Sequence, residues 1–155
     1  MDDKAVMTFP FADALQHSAA YPFIVTLHIV GFVMLVGAVA VFDLRVLGFG
    51  KGIPVRGLAK LCLPWAALSL VLVVPTGLLM FIAYSAPLLV SGEFLLKLGL
   101  LLLAAILAIV FHSGPYGSVD AWNVDATAPL AARLICAASL VNWIAVLFVG
   151  RMLTY

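Results

Sequence analysis

The chain has 155 residues, of which 66% are hydrophobic and 10% are charged, and its mean hydropathy is +1.25. Soluble domains contain about 45–50% apolar residues, so this composition indicates an integral membrane protein with room for four spanning helices and no further soluble domain of useful size. The formal net charge of +1 and the absence of basic clusters argue against a nucleic-acid partner, because that binding depends on many lysine and arginine contacts to phosphates.

The first twenty residues mix charged and apolar side chains and are interrupted by Pro10. We expect a short interfacial segment, helical from Ala12, that enters the membrane at Pro22. Proline suits the first turn of a helix, where its missing N–H costs nothing. His17 lies in this segment and is expected at the membrane surface.

The first spanning helix is predicted over about residues 21–44. At about 1.5 Å per residue it crosses a hydrocarbon core about 30 Å thick, and His28 lies about 10 Å deep. An ionisable side chain at that depth is costly unless it is paired, bound to a metal or facing a cavity. His28 is therefore a candidate binding residue, and the alternative is a neutral imidazole hydrogen-bonded to another helix.

The segment 43–60 is rich in glycine and is predicted to be a loop. It contains Asp43 and four of the eight basic residues of the chain, which are Arg45, Lys51, Arg56 and Lys60. Short loops rich in lysine and arginine stay in the cytoplasm. We therefore expect a bacterial inner-membrane protein with both termini outside.

The second helix is predicted over about residues 61–84 and contains the step Pro75-Thr76-Gly77. A proline within the membrane frees a carbonyl group and bends the helix, which is tolerated where neighbouring groups satisfy the backbone. Thr76 and Met80 are four residues apart and share one face. This face is a candidate pocket wall, and a bend that serves only helix packing is the alternative.

The third helix is predicted over about residues 93–112. Lys97 lies about 6–8 Å below the outer surface, which is close to the depth of His28 on the parallel first helix. The alternative for Lys97 is an ion pair with Glu93, four residues earlier, or extension of its ammonium group to the membrane surface.

His112 ends the third helix at the opposite side of the membrane. It differs in depth from His28 by about 15–20 Å, so the two histidines cannot bind the same iron atom. A histidine at a helix end is stabilised by the negative end of the helix dipole. The alternative is a second site near Asp43 and Arg45.

The fourth helix is predicted over about residues 130–152, after a turn-rich connection in which Trp122 is expected to anchor the chain at the interface. Asn142 falls near the middle of this helix and must find a hydrogen-bond partner. Cys62 and Cys136 are predicted to be reduced packing thiols, because both stand at the cytoplasmic side in the expected topology.

Several short motifs resemble a known superfamily: LHIVG in the first helix, followed by Leu44-Arg45, then Thr76-Gly77, and FLLKLGLLLL in the third helix, which ends in Phe111-His112. This pattern is similar to the four-helix membrane superfamily that includes copper-resistance D-type proteins and HemJ-type protoporphyrinogen oxidases, with an uncharacterised bacterial family within it as another possible match. In the HemJ-type branch, a first-helix histidine and a third-helix lysine are tied to haem binding and activity. The resemblance implies these roles for His28 and Lys97.

The sequence thus predicts a protein that binds a b-type haem or porphyrin near the outer face, in redox or electron-transfer chemistry. His28 is the expected iron ligand, Lys97 is a second ligand or a partner of a propionate group, and Thr76 and Met80 line the site. If the protein is an enzyme, it is expected to be a membrane oxidoreductase.

Two other functions stay open. In the first, the protein binds or transports copper through His28 and Met80, with Met34 or His17, because imidazole and thioether ligands suit Cu(I). In the second, it is a structural or assembly subunit of a membrane complex. A homo-oligomer is expected from small residues that allow close helix approach, which are Gly31, Gly37, Ala104, Ala105, Ala108, Ala137, Ala138 and Ala145.

Overall fold

The computed structural model describes residues 12–84, 88 and 91–153, and of Asp13 it describes only the backbone. The helices are α1 (Ala12–Gln16), α2 (Tyr21–Leu47), α3 (Val55–Ala83), α4 (Gly92–Ser113), a 3₁₀ helix (Pro115–Trp122) and α5 (Leu130–Met152). The four helices α2 to α5 are long and apolar enough to cross a bilayer. The predicted all-α fold and its four long apolar helices are therefore confirmed, and the chain is a multi-pass membrane protein. Of the expected interfacial segment, residues 1–11 lie outside the described part.

Helix α2 runs to Leu47, three residues beyond the predicted end, and Gly48 closes it. Gly48 has a φ of 113°, in the left-handed region that side chains other than glycine rarely adopt. Its N–H donates to the carbonyl of Arg45, and the N–H of Phe49 donates to that of Leu44, both at 3.1 Å. These two bonds satisfy carbonyl groups that a helix end otherwise leaves unpaired.

The prediction of a loop over residues 43–60 is wrong at both ends. Asp43 and Arg45 lie in the last turns of α2, and α3 begins at Val55 after an extended Pro54. The loop itself is only residues 48–54. The charges and glycines of residues 43–60 are typical of a loop. The segment can nevertheless be mostly helical, because the guanidinium group of Arg45 satisfies backbone carbonyls of the short loop and of the next connection.

Arg45 is buried, at 2% exposure. Its Nε donates to the carbonyl of Ile53 at 2.6 Å, and its Nη2 donates to the carbonyls of Lys51 at 2.8 Å and Asn123 at 3.1 Å. One side chain thereby joins the α2–α3 loop to the connection before α5. Arg45 is a structural residue, and its charge is not part of a ligand site.

The connection between α4 and α5 contains the 3₁₀ helix, where a plain turn-rich loop was predicted. Trp122 is only 2% exposed, so the expectation that it anchors the chain at the membrane interface is wrong. Its indole N–H donates to Ser118 Oγ at 3.1 Å. The ring packs into the core because the 3₁₀ helix contacts α3, α4 and α5.

The long helices form two hairpins. Helix α2 packs along α3, α4 packs along α5, and the hairpins meet where α2 packs on α5, whereas α3 and α4 do not pack along their lengths. We call the end where α2 and α4 begin the entry end, and the end where they finish the loop end. Gly31 allows the close α2–α3 contact, because a Cβ atom there would lie 3.0 Å from Leu72 Cβ.

Two apolar clusters hold the bundle together. The larger lies at the loop end and comprises Phe42, Val46, Val55, Ala59, Cys62, Phe111, Val119, Trp122, Ala128, Ala132 and Cys136. The smaller lies in the middle and comprises Leu35, Ala66, Trp143 and Val146. Asn142 donates from its side-chain nitrogen to the carbonyl of Leu100 at 3.1 Å, which confirms its predicted bond across helices.

Candidate cofactor site

A long cleft of about 1570 Å³ runs between the two hairpins. It opens because α3 and α4 stay apart, and it extends from Tyr21 and Tyr84 at the entry end to Asp43 and His112 at the loop end. Pockets for small molecules usually measure about 300–1,000 Å³. The cleft is therefore large enough for a ligand of considerable size.

His28 lies in the wall of this cleft, on α2, and bonds to α3. Its Nδ1 is 3.0 Å from Thr76 Oγ1. The Thr76 hydroxyl in turn is 2.5 Å from the carbonyl oxygen of Leu72 and 3.3 Å from that of Val73. A carbonyl can only accept, so the hydroxyl donates its proton to Leu72 and must accept a proton from His28.

This arrangement fixes the tautomer of His28. Nδ1 carries the proton, and Nε2 keeps its lone pair. Because Nδ1 uses its proton on Thr76, Nε2 is the nitrogen left to a ligand in the cleft.

Gly77 makes room for the imidazole. A Cβ atom at this position would lie 3.0 Å from His28 Cε1 and 3.5 Å from His28 Nδ1. The first of these distances is shorter than side chains tolerate, so a larger residue would push the ring away from α3. Thr76 therefore provides a hydrogen-bond acceptor for His28, and Gly77 leaves room for its ring. Together they set the position of the imidazole.

An aromatic wall continues from His28 along the cleft. The ring of Phe32 stacks on His28 with centroids 6.4 Å apart, and Trp143 of α5 meets Phe32 edge-on at 5.9 Å. All three side chains line the cleft. Trp143 was missed by the sequence analysis, and its only signal was its place next to Asn142, which was expected to face the inside of the bundle.

Lys97 lies in the opposite wall, on α4, and is half-buried. It is close enough to His28 for the two groups to interact electrostatically. Its Nζ lies against the backbone of α5, 3.6 Å from where a Cβ atom of Gly150 would be. Within the described residues Glu93 and Lys97 form no ion pair, so the predicted alternative of a pair along one helix is wrong.

The remaining predicted residues divide between the cleft and the surface. Met80 lines the cleft beside Gly77. Met34 and His17 are not among the residues of its wall. His112 lies at the far end of α4, and its Nδ1 bonds to the carbonyl of Ala108 at 2.8 Å. About 13 residues of rise, or roughly 20 Å, separate the level of His28 from that of His112.

Residues 16–155 match a family described as "Family of unknown function (DUF6644)". No curated protein and no solved structure matches the chain. Among the described residues, no group of three or more histidine, cysteine, aspartate and glutamate side chains converges as a metal site would require. A metal in the cleft would therefore rely on His28 together with a ligand of another kind.

Proposed function

We propose that this chain, which belongs to the Family of unknown function (DUF6644), binds a b-type haem or a porphyrin in the cleft, in redox or electron-transfer chemistry. The observation that carries the proposal is the bond between Nδ1 of His28 and Thr76, which leaves the other ring nitrogen, Nε2, to a ligand in the cleft that His28 lines. Haem iron is commonly bound by a histidine imidazole. A hydrogen bond from the other ring nitrogen orients such a ligand and raises its basicity.

The walls of the cleft fit a large, flat, apolar ring system. Phe32 and Trp143 offer aromatic surface next to His28, and the space available exceeds that of ordinary small-molecule pockets. An apolar environment also lowers the local dielectric and excludes water, and both effects tune a bound iron centre. A haem bound here would supply one-electron redox chemistry.

Lys97 is the residue proposed to complete the site. Its amino group is not tied to a carboxylate within the described part of the chain, and it faces the same cleft as His28. It can serve as a second iron ligand when neutral, or as the cationic partner of a propionate group when charged. If the protein turns over a substrate, it acts as a membrane oxidoreductase.

The two rival functions explain less of this geometry. A copper site would have His28 and Met80 in the cleft, but Met34 and His17, the expected further ligands, do not line it. A purely structural role accounts for the bond between His28 and Thr76. It gives no reason for the aromatic wall, or for a lysine in the cleft that has no carboxylate partner among the described residues.

The test is to purify the full-length protein with added haem, in nanodiscs, and to measure its absorption spectrum and metal content. We expect a Soret band and iron, and we expect His28→Ala to lose both while its helical circular dichroism is unchanged. Absence of a Soret band, or a band unaffected by His28→Ala, would overturn the proposal. Copper that Met80→Ala removes would establish the rival function.

We also propose that the protein resides in the bacterial inner membrane with both termini outside. The support is the exposed basic residues at the loop end, which are Lys51, Arg56, Lys60 and Arg133, since short cytoplasmic loops are enriched in such residues. A single cysteine introduced at Lys51, in a chain whose Cys62 and Cys136 are replaced by alanine, should resist a membrane-impermeant reagent applied from the periplasm. Labelling from that side would reverse the orientation.

A homo-oligomer is proposed as well, on fewer of the small residues than the sequence suggested. Gly31 is used within the chain, against Leu72 and Val73. Gly37 has no atom within 4 Å of a Cβ built there, and Ala138 is exposed outside the cleft. Native mass spectrometry from nanodiscs should give a multiple of the 16.5 kDa chain mass, and a monomer alone would contradict this.

A further inference from the structure

The loop end of the cleft contains a second group of polar side chains, which the proposed haem site does not use. Asp43 on α2 is 4% exposed, and its carboxyl group interacts with the hydroxyl of Ser139 and the thiol of Cys136, both on α5. All three residues line the cleft. The chain therefore holds an acidic group inside the bundle, about 6 Å from the end of its helix.

One oxygen of this carboxyl group is left without a partner. Asp43 Oδ2 is buried and has no hydrogen bond among the described residues. Within that part of the chain no lysine or arginine pairs with Asp43. Arg45, two residues later in the sequence, donates instead to three backbone carbonyls. A buried carboxylate without a cation is costly, so an additional positive charge or a proton is needed here.

The groups around this carboxyl are few and mostly neutral. Helix α5 contributes the Cys136 thiol, and α4 contributes His112, whose exposed ring lines the same end of the cleft and contacts Tyr116 of the 3₁₀ helix. Helix α3 contributes only apolar side chains here, among them Leu63 and Ala66. Among the described residues of this end of the cleft, no lysine or arginine competes for Asp43.

A proton is the ligand that this site can bind. A metal ion would need more ligands, and no three acidic, histidine or cysteine side chains converge among the described residues. Protonation removes the charge of the carboxylate and turns its unpaired oxygen into a possible O–H donor.

We propose that Asp43 is a reversible proton-binding site at the loop end of the cleft. The carboxylate binds one proton from water at the loop end and releases it to water or to an acceptor within the cleft, and no other bond is made or broken. Ser139 and Cys136 act as positioning residues that hold the carboxyl group between α2 and α5. This inference does not depend on the haem proposal, because it requires no bound cofactor.

The test is infrared difference spectroscopy of the full-length protein in nanodiscs, without haem, between neutral and acidic pH. We expect a carboxylic-acid C=O band that rises on acidification, shifts in D₂O, and is lost in Asp43→Asn. The matched control is Asp120→Asn, which removes an exposed carboxyl group and should keep the band. Ser139→Ala should keep the band but move its frequency, because the acid loses one hydrogen-bond partner.

Two results would overturn the proposal. One is an Asp43→Asn protein that melts like the wild type and has an unchanged pH-difference spectrum. If Asp43→Asn does not fold, the Ser139→Ala protein decides instead. A carboxylic-acid band at the same frequency in wild type and Ser139→Ala would then overturn the proposal. In both cases Asp43 would be only a structural hydrogen-bonding residue between α2 and α5.

Discussion

At the scale of single residues, one hydroxyl group determines which nitrogen of His28 carries the proton. Thr76 donates to Leu72 and so can only accept from the imidazole. The same hydroxyl thereby bonds to its own helix and to α2. The availability of the other ring nitrogen to a ligand depends on this short chain of hydrogen bonds.

Replacing Thr76 tests that dependence. Thr76→Val keeps the shape but removes the hydroxyl, so nothing orients Nδ1. Because outer-shell partners of a metal ligand are worth about 10–100-fold in affinity, we expect haem affinity to fall by about that factor in an absorption titration. Thr76→Ser retains the hydroxyl and should bind like the wild type. Equal affinities for valine and threonine would show that the bond has no role in binding.

Gly77 gives a prediction about space. In Gly77→Ala the new Cβ lies 3.0 Å from His28 Cε1, so the ring must move or α2 and α3 must separate, at a cost of about 1–3 kcal/mol. Gly99→Ala, inside α4, is the matched control, because nothing lies within 4 Å of its Cβ. Thermal unfolding in nanodiscs should show a lower midpoint for Gly77→Ala alone. Equal midpoints would mean that the His28 ring moves away from the new methyl group at no measurable cost in stability.

At the scale of elements, the loop end is held by contacts between two connections that are far apart in sequence. The N–H groups of Val55 and Arg56 donate to the carbonyl and the side-chain oxygen of Asn123, both at 2.9 Å. Arg56 also forms a bidentate ion pair with Asp120, with Nε 2.6 Å from Oδ1 and Nη2 2.7 Å from Oδ2. These bonds fix the start of α3 against the 3₁₀ helix.

The ion pair at this junction predicts a dependence on pH. The hydrogen bond from Arg56 lowers the pKa of Asp120 below its ordinary value. A carboxyl group with a lower pKa in the folded state stabilises the fold above its unfolded pKa, about 3.9, and loses that effect as pH falls through the lowered pKa. Both side chains are exposed, so the effect is small.

Thermal unfolding of wild type and Asp120→Asn at a series of pH values checks this. The wild type should have the higher midpoint at neutral pH, and the difference should vanish in acid. Lys60→Ala, which removes an exposed basic residue of the same helix face, serves as a control for general charge effects. A difference between wild type and Asp120→Asn that persists unchanged in acid would rule out the ion pair as its cause.

At the scale of the whole molecule, two helical hairpins meet along α2 and α5 and leave a cleft on the other side. The candidate cofactor site lies at the entry end, and the proton site lies at the loop end. They are 15 residues apart on α2, or about 22 Å. A four-helix bundle of this size can thus hold two candidate sites of different chemistry in one cleft.

Length and hydropathy were enough to predict the four spanning helices, because a bilayer fixes how long an apolar helix must be. The rarity of charge within them was enough to single out His28 and Lys97, which the structure brings to one cleft. Arg45 and Asp43 were misplaced because their surroundings are rich in glycine and charge. Only the fold shows that carbonyls 6 to 78 residues away satisfy Arg45.

The packing partners of each helix could not be predicted in the same way. The spanning helices are apolar on all sides, so no stripe distinguishes the face toward lipid from the face toward the bundle. Trp143 therefore carried no signal of its own. The resemblance to copper-resistance D-type and HemJ-type proteins stays a prediction, and it concerns the same residues, His28 and Lys97, that the cleft brings together.

The most direct measurement is a haem titration of three proteins side by side: wild type, His28→Ala and His112→Ala. Both histidines line the cleft, but His112 is bonded at a helix end and lies at the level of the loop end. We predict saturable binding with a Soret shift for wild type and His112→Ala, and its loss in His28→Ala. Identical titration curves for wild type and His28→Ala would contradict the assignment of His28 as the haem ligand.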